Sequence, residues 1–343
     1  MSGYAVVENP SAETWNSFLN INLSEGTLGQ CYEIGEATKM TYLRTRVVRL
    51  SLVYDGELIG IVQGTYSTYF GFGMTLRVTG GPVVKAELKE RNQFVESFLK
   101  ELEDYGRRKR IIQAQISIPD SWQLLEVFHK MGYASDKIEN EYFVNLEGGV
   151  QKLWESIAHN KRRNIKKAVK QGVEVVQSHS REDLRTFYSM LQASGERKGF
   201  PISPLSSFEA IWEVYKPELS KLFLAYWKGK TVSGVFIVIH GKTVYALNAG
   251  SRTEGWEVRP NDILHWKVME WACQNGYSQY GMGTVSEPPP TEESSEGGIW
   301  RWKREWKGNL ERVQTFGKIL LPRYKFILRG KKLVERVMRA SDN

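Results

Sequence analysis

The sequence predicts an α+β protein made of two related units. Its 343 residues are about twice the usual length of one domain. Segments with the alternating pattern of strands are interleaved with segments of helical periodicity along the whole chain. One order of elements, a hairpin, a further strand, a long helix that ends before glycine and another strand, occurs once in each half. A duplication explains this repetition, and the alternative is a chance recurrence of common elements.

In the first half, the turn signals define a hairpin and two helices. Asp55-Gly56 separates two β-branched segments, and this dipeptide favours tight hairpin turns. Gly106 and Gly132 follow helical patterns, and glycine commonly ends helices. The predicted elements are a helix at 12–21, strands at 46–53, 58–65 and 74–79, a helix at 88–105, a strand at 111–116 and a helix at 122–131.

The second half repeats these signals. Lys228-Gly229-Lys230 predicts a turn between two strands, and Pro260 and Gly276 bracket a helix in the positions these residues prefer. The predicted elements are strands at 222–227, 231–239 and 244–248, a helix at 260–273 and a short strand near residue 280.

Composition excludes several classes of protein. Two cysteines, Cys31 and Cys273, cannot form a disulfide framework and favour a reducing compartment. There is no signal-peptide pattern and no apolar run of about 20 residues, so we expect a cytoplasmic protein. The histidines and cysteines lack metal-ligand spacing, and no complete phosphate-loop or dinucleotide motif occurs, so we expect neither a metal nor a nucleotide cofactor.

The charge balance points to an anionic partner. Lys and Arg number 47 against 39 Asp and Glu, a net charge of +8. Residues 159–172 hold six cations and no acid, so ion pairs within this helix cannot balance them. We interpret the segment as a phosphate-binding surface, and the alternative is an ordinary solvated helix face. Its cations are Lys161, Arg162, Arg163, Lys166, Lys167 and Lys170.

The tail from residue 318 is also basic. Eight cations and one acid occur at 318–339, interleaved with apolar side chains. This pattern predicts either contact with an anionic membrane at its inner face or a packed terminal helix with one wet face.

Six short segments, taken in order, carry a resemblance to a known family. They lie at 29–33, 79–83, 160–172, 195–200, 250–251 and 302–308. The last, Trp302-Lys303-Arg304-Glu305-Trp306-Lys307-Gly308, is similar to a Phe-Lys-x-x-Phe-Gly phrase. Together they resemble the FemABX family of non-ribosomal peptidyltransferases, in its shorter form without a coiled-coil arm.

The resemblance implies a fold and an activity. The fold would be two tandem GNAT-like domains with mixed sheets flanked by helices, here at 1–148 on the acceptor side and 149–317 on the donor side, followed by the tail at 318–343. The activity would be transfer of an amino acid from aminoacyl-tRNA, as co-substrate, to an amine of a peptidoglycan precursor or another acceptor. No further cofactor is implied.

Some positions depart from the family pattern. Lys85 stands where the family often has an acid, Gly281 replaces an aspartate after Tyr280, and Pro204 and Phe208 stand in place of an Arg-x-x-x-Tyr pair. These changes favour a retained donor side and a different acceptor. An N-acyltransferase with an acyl-CoA donor and a non-catalytic RNA- or membrane-binding protein remain alternatives.

Lys303 and Trp302 are the predicted catalytic residues. Aminoacyl transfer passes through an oxyanion, and a fixed cation stabilises it. The rings of Trp302 and Trp306 would shield Lys303 from water and stack on the terminal adenine. The alternative is an amphipathic strand at 300–307 with an ordinary exposed lysine.

Other substrate contacts are predicted from the same resemblance. The predicted substrate-binding residues are Lys39, Arg197, Tyr245, Asn248 and Trp306, with Trp302 beside the catalytic lysine. The predicted tRNA- or phosphate-binding residues are Lys161, Arg162, Arg163, Lys166 and Lys167. A purely structural role is the alternative for Arg197, Tyr245 and Asn248.

Overall fold

The computed structural model describes residues 4–22, 27–69, 71–291, 293–294 and 296–328. The chain forms two compact units. One comprises the chain up to Ile138 together with residues from Val313 onward, and the other is Glu139–Arg312. The sequence placed the boundaries at 148 and 317, so the units divide earlier than expected at both points.

The first unit is a mixed sheet with helices packed against it. Its strands lie in the order β1-β2-β3-β4-β6-β13, with β5 beside β3. Only β4 and β6 are parallel, and α3 connects them. The elements are β1 (Tyr4–Glu8), α1 (Ala12–Ile21), α2 (Tyr32–Thr41), β2 (Thr45–Tyr54), β3 (Glu57–Tyr69), β4 (Phe72–Thr79), β5 (Val83–Val84), α3 (Arg91–Arg108), β6 (Ile111–Pro119), α4 (Leu125–Lys130) and the start of β7 (Ala134–Asn145), with the later part of β13 (Asn309–Ile319).

The second unit repeats this plan. Its strands lie in the order β7-β12-β11-β10-β9-β8, and only β11 and β12, joined through α9, are parallel. The elements are α5 (Gly149–Ser156), α6 (His159–Lys170), β8 (Glu174–Ser178), α7 (Arg181–Lys198), α8 (Leu205–Leu219), β9 (Ser220–Trp227), β10 (Lys230–His240), β11 (Thr243–Ser251), α9 (Pro260–Gln274), β12 (Gln279–Ser286) and α10 (Gly297–Arg304), with the second part of β7.

Both predicted hairpin turns are confirmed. Asp55 and Gly56 have φ of 48° and 81°, and Lys228 and Gly229 have φ of 50° and 71°. Two successive positive φ angles define the tight turn whose twist matches that of the flanking strands. The expected α+β fold with mixed sheets and flanking helices is therefore present in both halves.

The structure corrects one predicted helix and one alternative interpretation as a strand. The segment at 122–131 is a single 3₁₀ turn followed by the short α4, because Gln123 between them adopts a left-handed conformation with φ of 56°. Residues 297–304 form helix α10, so the alternative interpretation of 300–307 as a strand is wrong. Alternation over only four residues is too short to establish a strand, and Trp302 makes the contacts described below from the helix.

A buried amide network fixes the segment 29–33 in the first unit. Gln30 is fully buried, and its side-chain amide donates to the carbonyls of Gln63 (3.0 Å) and Thr79 (2.8 Å) while accepting from the Gln63 N–H (2.7 Å). The Gln63 amide in turn donates to the carbonyls of Cys31 (2.8 Å) and Gly29 (3.2 Å). These bonds satisfy buried polar groups of a loop that has no sheet partner of its own.

The described part of the tail packs against the first unit. Lys318 donates to Glu103 and to the carbonyl of Met131, both at 2.6 Å. The apolar residues Leu321, Tyr324, Ile327 and Leu328 pack against the buried cluster of Phe72, Met74 and Ile112. The remainder of the expected tail, 329–343, lies outside the described residues. No helix in the described ranges is long and apolar enough to cross a bilayer.

Candidate active site

The parallel strands of the second unit diverge. β11 and β12 pair only from Thr243 to Tyr245, opposite Gln279 to Gly281. Beyond this point β11 continues along β10, and β12 continues along β7 with a register shift before Thr284. In the first unit, by contrast, β4 and β6 stay paired as far as Thr79 and Ser117. Among the described strands, the divergence of β11 and β12 therefore opens a gap in the second unit, whereas β4 and β6 of the first unit stay closed.

A cleft of about 500 Å³ lies at this divergence. Strand β11 from Ala246 to Ser251 forms one wall, and Met282 and Gly283 form the other. Helices α7, α9 and α10 complete the lining. The polar side chains in the lining are Ser194, Lys198, Asn248, Ser251, Asn261, His265 and Lys303. No carboxylate is among the lining residues that the structure describes, so the cleft suits a ligand that is anionic or develops negative charge.

Lys303 lies in the last turn of α10 and reaches this cleft. The residue is only 8 % exposed, and its ammonium donates to the carbonyl oxygen of Thr284 at 2.9 Å. Burial lowers the pKa of Lys303 to about 8, so the side chain remains mainly cationic at pH 7. A cation that is shielded from water exerts a stronger field on a bound ligand than a surface lysine does.

A buried ion pair holds the helix that carries Lys303. The Trp302 indole N–H donates to Asp262 Oδ1 at 2.7 Å, and the Lys161 ammonium lies 2.7 Å from the same oxygen. Lys161 also lies 4.7 Å and 4.8 Å from the ring centroids of Trp302 and Trp306. One lysine thus joins the basic helix α6, the helix α9 and the two tryptophans.

The structure corrects the prediction for part of α6. Lys161 is fully buried and lies 3.2 Å from Glu305 as well as bonding to Asp262, so it is not available for phosphate. Arg162 donates to three backbone carbonyls at the end of α5, at 2.7–3.1 Å, and so caps that helix. The exposed cations are Arg163, Lys166, Lys167 and Lys170. Their i, i+3, i+4, i+7 spacing places all four on one helix face.

Four of the five predicted substrate-binding residues, namely Lys39, Arg197, Tyr245 and Trp306, are not among the described residues that line the cleft. Trp306 is fully buried in the core of the second unit, so its ring cannot stack on a substrate base. Trp302, by contrast, is half-buried and lines the cleft. Lys39 lies on α2 of the first unit, where it pairs with Glu36 at 2.8 Å.

Of the three remaining predicted substrate contacts, Asn248 lines the cleft, whereas Arg197 and Tyr245 make other contacts within the second unit. Arg197 donates to the Ser251 carbonyl at 2.9 Å and joins the end of α7 to β11. Tyr245 packs edge-on against Phe143, and a Cβ at Gly281 would come within 3.1 Å of the Tyr245 ring. Glycine in place of the family's aspartate therefore makes room for this ring pair.

His265 and Lys198 are cleft residues that the sequence analysis missed. His265 is 4 % exposed, and its Nδ1 lies 2.8 Å from the Tyr280 hydroxyl. Burial, together with the charges of Lys161 and Lys303, lowers the pKa of His265 to about 3. Burial and the neighbouring Arg197 also lower the pKa of Lys198. The sequence signal that could have identified His265 is its i, i+3 spacing from Asp262, which places both side chains on the same face of α9.

Comparisons with known proteins show which proteins the chain resembles. Residues 156–304 match the family described as acetyltransferase (GNAT) domain. The lipid II:glycine glycyltransferase of Staphylococcus aureus is 22 % identical, with 88 % of this chain and 90 % of that protein covered. The enzyme of the same name from Staphylococcus saprophyticus is 24 % identical, with 51 % of this chain and 57 % of that protein covered, so the chain spans little more than half of that relative.

Solved structures share the fold of most of the chain. The crystal structure of FemX superposes with a TM-score of 0.80 at 18 % identity, covering 94 % of this chain and 100 % of that one. A tandem GNAT protein from the clavulanic acid biosynthesis pathway has a TM-score of 0.61 at 10 % identity, covering 93 % and 99 %. The expected architecture of two tandem GNAT-like domains is confirmed.

Proposed function

We propose that this chain is an acyltransferase of the FemABX family and that it moves an aminoacyl group from aminoacyl-tRNA to an amine of a peptidoglycan precursor. Glycine is the first amino acid to test, because the staphylococcal relatives are named as lipid II:glycine glycyltransferases. The observation that carries the proposal is the position of Lys303, a buried cation in the cleft between the diverging strands.

The chemistry requires charge stabilisation. The amine nitrogen forms a bond to the ester carbonyl carbon, and an electron pair moves to the carbonyl oxygen. When the carbonyl reforms, the bond to the ribose oxygen breaks, and that oxygen takes up the proton that the nitrogen loses. The Lys303 ammonium is the group that stabilises the transient oxyanion, and removal of such a donor typically slows a reaction by about 10²–10³-fold.

Deprotonation of the attacking amine does not depend on a carboxylate in this proposal. Lys85, which stands where the family often has an acid, forms an ion pair with Glu57 in the first unit. In the cleft, the positive field of Lys303 disfavours a second cation, so it lowers the pKa of an incoming ammonium group. The ammonium loses its first proton to solvent and attacks as the neutral amine. The second proton, which the nitrogen loses after the bond has formed, goes to the departing ribose oxygen.

The exposed face of α6 is the proposed contact for tRNA. Its four cations, Arg163, Lys166, Lys167 and Lys170, share one face, and no acidic residue occurs in the helix. Such a row suits the regularly spaced phosphates of a nucleic-acid backbone.

Contact of the tail with an anionic membrane also remains a proposal. In the described residues it would rest on Arg323 and Lys325 beside Phe326, whose side chain is largely exposed.

An acyl-CoA donor is the second candidate. It is favoured by the match of residues 156–304 to the acetyltransferase (GNAT) domain family. Such an enzyme would transfer an acyl group to an amine that is not part of peptidoglycan, through the same oxyanion chemistry. Tight calorimetric binding of coenzyme A would favour this candidate over tRNA.

A transfer assay distinguishes the aminoacyl-tRNA donor from the acyl-CoA donor. Purified protein is incubated with labelled glycyl-tRNA or with labelled acetyl-CoA, each with lipid II and with soluble stem peptides as acceptors. We expect label to move from tRNA to an acceptor, to be abolished by ribonuclease and to be lost in Lys303→Met, while Lys307→Met, an exposed neighbour, keeps its activity. Transfer from acetyl-CoA alone would contradict the proposal.

A further inference from the structure

We propose that His265 is a second catalytic residue of this cleft, whose Nε2–H donates a hydrogen bond to the same oxyanion that Lys303 stabilises. The proposal rests on the acyl-transfer function above and adds a neutral donor to it. It would make the site a two-donor oxyanion hole, with one donor charged and the other not.

The position of the ring supports this role. His265 lies on α9 and lines the cleft together with Trp302 and Lys303. The edge of the imidazole meets the Trp302 ring at 4.9 Å between centroids, which fixes its plane. Nδ1 lies 2.8 Å from the Tyr280 hydroxyl. Nε2 has no hydrogen-bond partner in the described part of the chain, and it is not one of the fully buried atoms without a partner, so it remains accessible. Nε2 is therefore the nitrogen that a ligand in the cleft can reach.

The buried tyrosine determines which nitrogen carries the proton. Tyr280 is fully buried, and its hydroxyl has His265 Nδ1 as its one partner among the described residues. Burial raises the pKa of the Tyr280 phenol, so the hydroxyl keeps its proton and needs an acceptor. Nδ1 is that acceptor. A neutral imidazole with an accepting Nδ1 carries its hydrogen on Nε2, as a donor into the cleft.

The surroundings also keep the ring neutral. Burial together with Lys161 on α6 and Lys303 on α10 lowers the pKa of His265 to about 3. The nearby carboxylate on its own helix, Asp262, is paired with Lys161 and Trp302. The ring therefore does not compete for the proton of the attacking amine. It donates a hydrogen bond while the carbonyl oxygen gains its electron pair, and it retains its own proton when that pair returns.

The protonation state can be tested without activity. Protein labelled with ¹⁵N-histidine is studied by NMR at pH 7, where the ¹⁵N shifts and couplings distinguish the two neutral forms. We expect His265 to be neutral with its proton on Nε2. In Tyr280→Phe, which lacks the hydroxyl donor, we expect the proton to divide between the two nitrogens. A wild-type ring protonated on Nδ1, or an unchanged ring in Tyr280→Phe, would overturn the proposal.

Kinetics test the catalytic part. His265→Leu should lower kcat by about 10²–10³-fold with KM for the acceptor unchanged. His265→Gln should recover part of the rate, because its amide can donate from a position near Nε2. Tyr280→Phe should cost about tenfold, less than the loss of the ring itself.

A control variant and several contrary results separate a catalytic role of His265 from a packing role. His179→Leu alters an exposed histidine of the same unit and should leave kcat unchanged. A folded His265→Leu protein with wild-type kcat would refute the catalytic role. Equal losses in the Leu and Gln variants would show a packing role and would also refute it. A wild-type protein that transfers from no donor would instead contradict the proposed function, and the NMR result would then decide the His265 tautomer alone.

Discussion

Lys161 and Asp262 form a fully buried ion pair with 2.7 Å between ammonium and carboxylate, although 101 residues separate them in the chain. The same carboxylate oxygen accepts the indole N–H of Trp302, the neighbour of Lys303. The position of Lys303, the proposed catalytic lysine, therefore depends on a lysine from the basic helix α6, which the sequence alone assigns to a phosphate-binding or solvated face.

Removal of one partner of this pair should strongly destabilise the second unit. Lys161→Met leaves the carboxylate of Asp262 buried without its cation, and such a loss typically costs about 3–5 kcal/mol. The double variant Lys161→Met/Asp262→Asn removes both charges and keeps an oxygen for Trp302, so it should be more stable than Lys161→Met. Urea unfolding of the two variants and of wild type measures this difference. A Lys161→Met protein as stable as wild type would contradict the buried pair.

The exposed face of α6 should control the salt dependence of tRNA binding. Each phosphate contact contributes about 0.7–0.9 to the slope of log affinity against log salt concentration. Lys166→Gln/Lys167→Gln should therefore lower the slope by about 1.5 and weaken binding. Lys228→Gln/Lys230→Gln removes two exposed cations from the β9–β10 turn and serves as the matched control. Equal effects of the two double variants would mean that net charge, and not this helix face, binds tRNA.

Gln30 should be needed for the stability of the first unit. Gln30→Ala leaves the Gln63 N–H and the Gln63 and Thr79 carbonyls without their side-chain partner. An unsatisfied buried group costs about 1–3 kcal/mol, so we expect a loss of at least about 2 kcal/mol in the free energy of unfolding. Gln93→Ala, on an exposed position of α3, should have little effect. Chemical unfolding followed by circular dichroism provides the measurement.

The rate should fall as pH rises through the pKa of Lys303. Burial lowers that pKa to about 8, so the ammonium predominates below pH 8 and is lost above it. Because the attacking amine reacts in its neutral form, kcat/KM should first rise with pH and then decline from about pH 8. In Lys303→Arg the side chain stays charged, so the declining limb should disappear even if the rate is lower. A declining limb retained in Lys303→Arg would assign it to another group.

Local signals predicted much of the fold. The turns at Asp55-Gly56 and Lys228-Gly229 and the bracketing of α9 by Pro260 and Gly276 depend on backbone preferences of few residues, and the structure confirms all three. The strand β7 and the helix α8 escaped prediction, since neither carries comparably sharp start and stop signals in the sequence. Helix α7 was missed although Ser180 caps its start and Gly199, with φ of 71°, ends it.

The site was predicted less completely. Lys303 lies in the cleft as the family resemblance implied, beside Trp302. The buried positions of Lys161 and Trp306 could not be predicted, because they depend on Asp262 and on core packing contributed by other elements. His265 escaped notice for the same reason, since its partner Tyr280 lies on a different element and no local pattern joins the two.

The most direct test of the account is the rate of aminoacyl transfer at saturating donor and acceptor in Lys303→Met, with Lys307→Met as control. The account predicts a loss of about 10²–10³-fold for Lys303→Met, with affinity for the aminoacyl donor within threefold of wild type, and no loss for the control. A rate for folded Lys303→Met within threefold of wild type would contradict the assignment of this buried cation as the group that stabilises the oxyanion.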